Sequence, residues 1–311
     1  MNNKKENILS GIVVPLVTPL LDSNRLDIEG LDNLIEHVIS GGVAGIFVLG
    51  TTGEAQHMSY DLRKELIELT CERVHSRVPV LVGVSDTSIA ESRNLTDFAK
   101  QCGASAVVAT PPYYYTLSQD ELYYYYNQLA TGLSLPLYLY NMPGNVKINI
   151  EYPTVLKLSQ HPNIIGLKDS SGNGVYFQKL LFAFNDKQFD LFVGPEEMTA
   201  ETVLMGGQGG VNGGANIFPA LYAKLYRAAL DRDFETIQKL QPVVMDISIS
   251  IYTQGKYPSS YLMGVKGALQ IKGICSGALA YPYLEFGETE LDVLAQHIKR
   301  IEAKLTAIIK E

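Results

Sequence analysis

Eight short apolar runs, each followed by a stretch with helical periodicity, restrict the fold of this 311-residue chain more than any other feature. The runs lie at residues 12–17, 45–49, 80–84, 106–109, 137–140, 164–167, 191–193 and 210–211. They are continuously apolar and rich in β-branched residues. Such strands belong to a parallel sheet covered by helices rather than to one with a wet face. Between them, Leu31, Leu34, Ile35, Val38 and Ile39 mark one helical stripe that ends at Gly41-Gly42, and Ser59 is an N-cap for a second carrying Leu62, Leu66, Ile67 and Val74. Eight strand–helix alternations in about 230 residues match a (β/α)8 TIM barrel, whereas an open doubly wound sheet would more usually have about six. After Asp231 the alternation stops. Helical patterns at 234–252, 261–271 and 288–309 follow, broken at Gln254-Gly255-Lys256-Tyr257-Pro258. The expected organisation is a barrel catalytic domain over residues 1–232 and a C-terminal α-helical region over 233–311, with no further repeat.

Charge and motif content narrow the function. Lys and Arg number 25 against 33 Asp and Glu, a net charge of −8, which argues against a nucleic-acid surface and requires any anionic ligand to be held by local groups. Cys71, Cys102 and Cys275 are odd in number and widely spaced, so neither a disulfide framework nor a zinc site is expected. The first six residues lead into an apolar stretch interrupted by Pro15 and Pro19, without a signal-peptide core. No run approaches the ~18 apolar residues of a membrane span. A soluble, cytoplasmic protein is the expectation. His37, His57, His75, His161 and His297 are scattered, with no HExxH pair, and no nucleotide-binding glycine pattern or GxSxG elbow occurs.

In a barrel, chemistry sits where strands run into loops. Strand two runs into Gly50-Thr51-Thr52-Gly53-Glu54, a tight turn whose N–H groups and hydroxyls can surround a carboxylate or phosphate, or which is only a turn. Strand four leads into Thr110-Pro111-Pro112-Tyr113-Tyr114-Tyr115, where the phenols either pack or relay protons. Tyr123–Tyr126, in a helix, are read as core and interface residues. Strand five ends at Tyr140, on the same face as Tyr138, before Asn141-Met142-Pro143-Gly144. Strand six closes with Lys168-Asp169-Ser170-Ser171-Gly172. A lysine ending a buried strand is costly unless paired or neutral. It is either bridged to Asp169 or another carboxylate, or it is an amine of depressed pKa able to form a Schiff base. Moving an ammonium from ~10.4 to ~7 corresponds to roughly 4–5 kcal/mol. Strand seven runs into Gly194-Pro195-Glu196-Glu197, an acidic pair suited to sugar hydroxyls, to general-base work or to a helix start. The glycine-rich 206–216 stretch lets a ligand approach the backbone.

Taken together, Gly50–Glu54, Tyr113-Tyr114 after Pro112, Tyr140-Asn141-Met142-Pro143-Gly144 and Gly166-Leu167-Lys168-Asp169 resemble the dihydrodipicolinate synthase / N-acetylneuraminate lyase family of pyruvate-dependent class I aldolases, over nearly the whole chain. The resemblance implies that Lys168 forms an imine with pyruvate or a 2-oxo acid and that Tyr140 shuttles protons above it. By the same resemblance, Thr51 would continue a relay towards Tyr114 of a neighbouring subunit. Thr51 and Thr52, at the Gly50 turn, would on this resemblance hold the pyruvate carboxylate, and Val211 would contribute a carbonyl. It also implies a homotetramer built as a dimer of dimers, with no metal or organic cofactor. The synthase arginine beyond the Tyr-Asn-x-Pro stretch is Asn145 here, and Asn cannot replace a bidentate charged fork. Gly194-Pro195-Glu196-Glu197 is similar to the lyase pattern, while the lyase serine falls on Gly213. The expected activity is therefore an aldolase or lyase acting on a 2-oxo-3-deoxy sugar acid or 4-hydroxy-2-oxo acid. The alternatives are 4-hydroxy-tetrahydrodipicolinate synthase, N-acetylneuraminate lyase and a non-catalytic ligand-binding barrel.

Overall fold

The structure, a computed structural model, describes residues 9–185 and 187–310. The amino-terminal residues 1–6, read above for a leader, lie outside the described residues. Eight parallel strands close into a barrel: β1 (Gly11–Pro15), β2 (Gly45–Val48), β3 (Val80–Gly83), β4 (Ala106–Ala109), β5 (Leu137–Asn141), β6 (Ile164–Asp169), β7 (Asp190–Val193) and β8 (Gly209–Val211). Each is hydrogen-bonded to its sequence neighbours, and β8 returns to β1. The helices that follow them are α1 (Ile28–Ser40), α2 (Tyr60–Val74), α3 (Ile89–Gln101), α4 (Gln119–Gly132), α5 (Tyr152–Leu158), α6 (Gly174–Phe184), α7 (Thr199–Leu204) and α8 (Pro219–Leu230). Three more helices complete the chain: α9 (Phe234–Ser250), α10 (Ser260–Ile271) and α11 (Glu288–Lys310). This is the (β/α)8 barrel with a helical C-terminal extension.

Local chemistry sets the helix starts. The Ser59 hydroxyl accepts from the Leu62 N–H at 3.2 Å, and Ser118 with Glu121 forms a reciprocal capping box at the start of α4. A small hairpin, Leu20–Asp22 against Arg25–Leu26, sits between β1 and α1, and the sequence pattern does not reveal it.

The strands alternate between two apolar layers. Val13, Phe47, Leu81, Val108, Tyr138, Tyr140, Phe192 and Val211 fill the barrel interior. Their neighbours Val14, Ile46, Val82, Val107, Leu139, Leu167 and Val193 pack outward with the apolar faces of the helices. Gly166 is required by the interior layer, because a Cβ there would stand 2.6 Å from the Tyr138 ring. A register shift between β5 and β6 beside this point leaves Tyr140 opposite Lys168, and Lys168 opposite Phe192 on β7. β6 runs two residues further than its apolar run, through Lys168 and Asp169.

Helices α9 and α11 pack on one another, and α9 also packs on α8. Helix α10 packs on α11 and reaches the 3-10 turn Gly213–Asn216 at the end of β8. The extension thereby reaches the C-terminal mouth of the barrel. Among the described residues no helix is long and apolar enough to cross a membrane.

Candidate active site

Adjacent parallel strands lie about 4.8 Å apart and opposed side chains share a face. The β5–β6 register therefore places Tyr140 and Lys168 together at the top of the barrel interior. Lys168 is 7% exposed, with Nζ 4.1 Å from the centroid of the Tyr140 ring and 5.3 Å from that of Phe47. The Phe47 ring meets Tyr140 edge-on, with centroids 6.4 Å apart.

Lys168 is not held by an ion pair with Asp169. Successive residues of a strand face opposite ways. Asp169 instead accepts from Asn141 Nδ2 at 2.7 Å and from the Ser171 hydroxyl and N–H at 2.9 and 3.2 Å. Among the described residues no carboxylate pairs with Lys168. The buried amine keeps its hydrogen-bonding to Tyr140 and its open side faces a cavity.

The Tyr140 hydroxyl lies 3.3 Å from Thr51 Oγ1. Burial alone would raise its pKa. The Lys168 charge and hydrogen bonds from Thr51, Ser170 and Lys168 outweigh burial and hold the phenol below the ordinary tyrosine value. A phenol so placed gives up its proton more readily than a free tyrosine.

The cavity has a volume of about 650 Å³. Thr51, Thr52, Tyr140, Lys168, Gly194, Glu196, Glu197 and Val211 all border it, as do Asn145 and Gly213. Gly50 and Tyr114 do not. Gly50 is buried at the start of the turn, where a Cβ would stand 2.8 Å from the Phe47 ring. Tyr114 is 82% exposed and meets Tyr115 edge-on, with centroids 5.4 Å apart.

The two glutamates differ in their freedom. Glu196 Oε1 accepts from the hydroxyls of Tyr222 and Tyr252, and its Oε2 accepts from the Gly214 N–H at 2.9 Å. Burial pushes its carboxyl up to about 7 against those hydrogen bonds. Glu197 takes one hydrogen bond from Ser248 through Oε1.

The strand-end pattern missed the far wall, which comes from the C-terminal extension: Tyr252, Ser259, Tyr261, Leu262 and Tyr283. Tyr261 OH lies 3.0 Å from Thr52 Oγ1, and its ring packs edge-on against Tyr252 at 4.9 Å. Gly213 explains part of this arrangement, because a Cβ there would overlap the Tyr261 hydroxyl. A glycine opposite a distant tyrosine was the available signal, and it is invisible without the fold. Among the described residues Lys168 is the only Lys or Arg bordering the cavity, which also carries two carboxylates. Among the described residues no cluster of three or more His, Cys, Asp or Glu is arranged to hold a metal ion.

The model of the dihydrodipicolinate synthetase family matches residues 8–301. A 4-hydroxy-tetrahydrodipicolinate synthase of Ralstonia nicotianae is 32% identical over 274 residues, covering 88% of this chain and 91% of that protein. The structure of a dihydrodipicolinate synthase from Bacteroides thetaiotaomicron is 51% identical and superposes with a TM-score of 0.92, over 96% of this chain and 100% of the other. A prophage protein of the dihydrodipicolinic acid synthase family from E. coli K12, solved in complex with pyruvate, is 26% identical with a TM-score of 0.89, over 94% of this chain and 98% of that one.

Proposed function

Given that the chain belongs to the dihydrodipicolinate synthetase family and is a carbon–carbon lyase of the class I aldolase type, we propose that it cleaves or forms a 2-oxo-3-deoxy sugar acid or a related 4-hydroxy-2-oxo acid through an imine on Lys168. The Lys168 amine adds to the C2 carbonyl and water leaves, giving an iminium. In the cleavage direction the C4 hydroxyl loses its proton to Tyr140 and the C3–C4 bond breaks. Its electron pair passes into the iminium to leave an enamine and a free aldehyde. Tyr140 then returns a proton to C3, and hydrolysis of the imine releases pyruvate and the amine. Thr51 and Thr52 bind the C1 carboxylate through hydroxyl and N–H groups, and the Val211 carbonyl borders the same end. Thr51 also passes protons between Tyr140 and Tyr114 of a second copy of the chain, in a homotetramer built as a dimer of dimers.

One observation carries the choice of substrate: with Lys168 committed to the imine, no Lys or Arg among the described residues borders the rest of the cavity. A second carboxylate would enter a space already holding Glu196 and Glu197, with no cation to offset it. A neutral, hydroxylated aldehyde portion suits Asn145, Glu197, Ser259 and the tyrosine hydroxyls. The names of the relatives favour a second reading, 4-hydroxy-tetrahydrodipicolinate synthase, in which pyruvate condenses with aspartate semialdehyde. A panel of 2-oxo-3-deoxy sugar acids and 4-hydroxy-2-oxo acids, with pyruvate release read by a coupled dehydrogenase, separates the two. Turnover of one sugar-acid class, with negligible condensation of aspartate semialdehyde, is expected. Efficient condensation of the semialdehyde and no release from any acid would replace this reading with the second.

A further inference from the structure

The catalytic turn is fastened from behind by a buried ion pair that the chemistry above does not use. Glu54, the last residue of the Gly50–Glu54 turn, pairs with Lys266 on α10, and both side chains are wholly shielded from water. The second carboxylate oxygen of Glu54 accepts from the Ala280 N–H at 2.8 Å, and Lys266 Nζ donates to the Ala278 carbonyl at 2.7 Å. These four groups tie the turn, helix α10 and the segment leading to Tyr283 into one unit. Each of the three contributes to the cavity wall, through Thr51 and Thr52, Tyr261 and Tyr283 respectively.

The turn needs such a fastening. Leu49, just before it, and Glu54, its last residue, both sit in the left-handed region, at φ +60° and +56°. Neither residue type favours that conformation, so the surroundings must impose it. Inside the turn the Glu54 N–H donates to the Thr51 carbonyl at 3.1 Å and Thr18 Oγ1 donates to the Gly53 carbonyl at 2.7 Å. The position of Glu54 therefore passes directly to Thr51, whose hydroxyl reaches Tyr140 at 3.3 Å, a contact with little slack. Stability alone does not account for the pair. Two buried charges can often be exchanged for neutral groups of similar size at no net cost, while what they fix is geometry.

We propose that Glu54 and Lys266 are positioning residues for proton transfer, holding Thr51 in register with the Tyr140 phenol through the turn they anchor. The proposal rests on the imine reading of Lys168, and its test keeps the two apart. Borohydride trapping of pyruvate on Lys168 reports imine formation, and exchange of the pyruvate methyl protons with D2O, followed by NMR, reports proton transfer to and from the enamine. Neither needs the aldehyde substrate. The double variant Glu54→Gln/Lys266→Met leaves no charge unpaired, and Glu54→Asp keeps the charges but shortens the reach. In both, the fully folded protein should still trap pyruvate on Lys168, while methyl exchange falls about 10- to 100-fold, the size expected of an ångström-scale misplacement. A double variant that melts as the parent does and exchanges within twofold of it overturns the proposal. If the double variant does not fold, Glu54→Asp decides by the same criterion. A parent protein that traps no pyruvate overturns the imine reading itself.

Discussion

At the scale of single residues, the barrel interior carries two polar layers that its apolar strands do not announce. The upper one is Tyr140 and Lys168. Beneath it, Asp190 accepts from the Tyr138 hydroxyl at 2.6 Å, in a layer shared with Gly166. Burial pushes the Asp190 carboxyl up to about 6, against the lowering effect of that hydrogen bond. An acid raised on folding binds a proton in the folded chain that the unfolded chain has already lost. Its contribution to stability is therefore fully present below the unfolded value near 4, and is lost as the pH rises towards 6. The loss amounts to something on the order of 2–3 kcal/mol. Asp190→Asn keeps an acceptor for Tyr138 and cannot ionise. It should melt above the parent at pH 8 and decline less steeply than the parent between pH 4 and 6. Parallel melting curves for the two proteins across that range would contradict the assignment. Glu196, raised to about 7, adds a decline of the same sign over a wider window, which the variant retains.

Among the elements, the loop after β4 and the exposed face of α4 belong together. Tyr113, Tyr114, Tyr115 and Tyr124 leave large parts of their rings in water, while Tyr125 and Tyr126 on the same helix are buried. Exposed phenols in that number suit an interface between copies. It supports the proposal that Tyr114 serves the cavity of a second copy. Sedimentation should give four times the chain mass. Tyr114→Ala should lower turnover while leaving Lys168 able to trap pyruvate. A monomer with full turnover would contradict the shared site. The sequence exposed the elements themselves well, because continuous apolar runs and a period of 3.6 are local signals. The β6 end was less legible, since Lys168 and Asp169 extend the strand with charged residues that only barrel closure explains. The Leu20–Asp22 hairpin is too short for a periodicity. Tyr252, Tyr261 and Tyr283 could not be assigned to the cavity from sequence, because Thr52 and Tyr261 meet only once α10 has docked, 209 positions apart.

For the molecule as a whole, one arrangement links fold to chemistry. A closed parallel sheet buries a lysine that no carboxylate among the described residues neutralises. A tyrosine tuned by that lysine stands beside it, and a helical extension caps the space above them. The motifs at the strand ends made Lys168, Tyr140 and Thr51 readable as a set. The cap, which supplies the far wall, is a product of packing. The account turns on whether the Lys168 amine condenses with a ketone, and mass spectrometry after borohydride treatment in the presence of pyruvate measures this most directly. The prediction is one reduced pyruvate adduct per chain, mapped to the peptide containing Lys168 and absent from Lys168→Ala. An enzyme that turns over its substrate yet yields no adduct on that residue would contradict it.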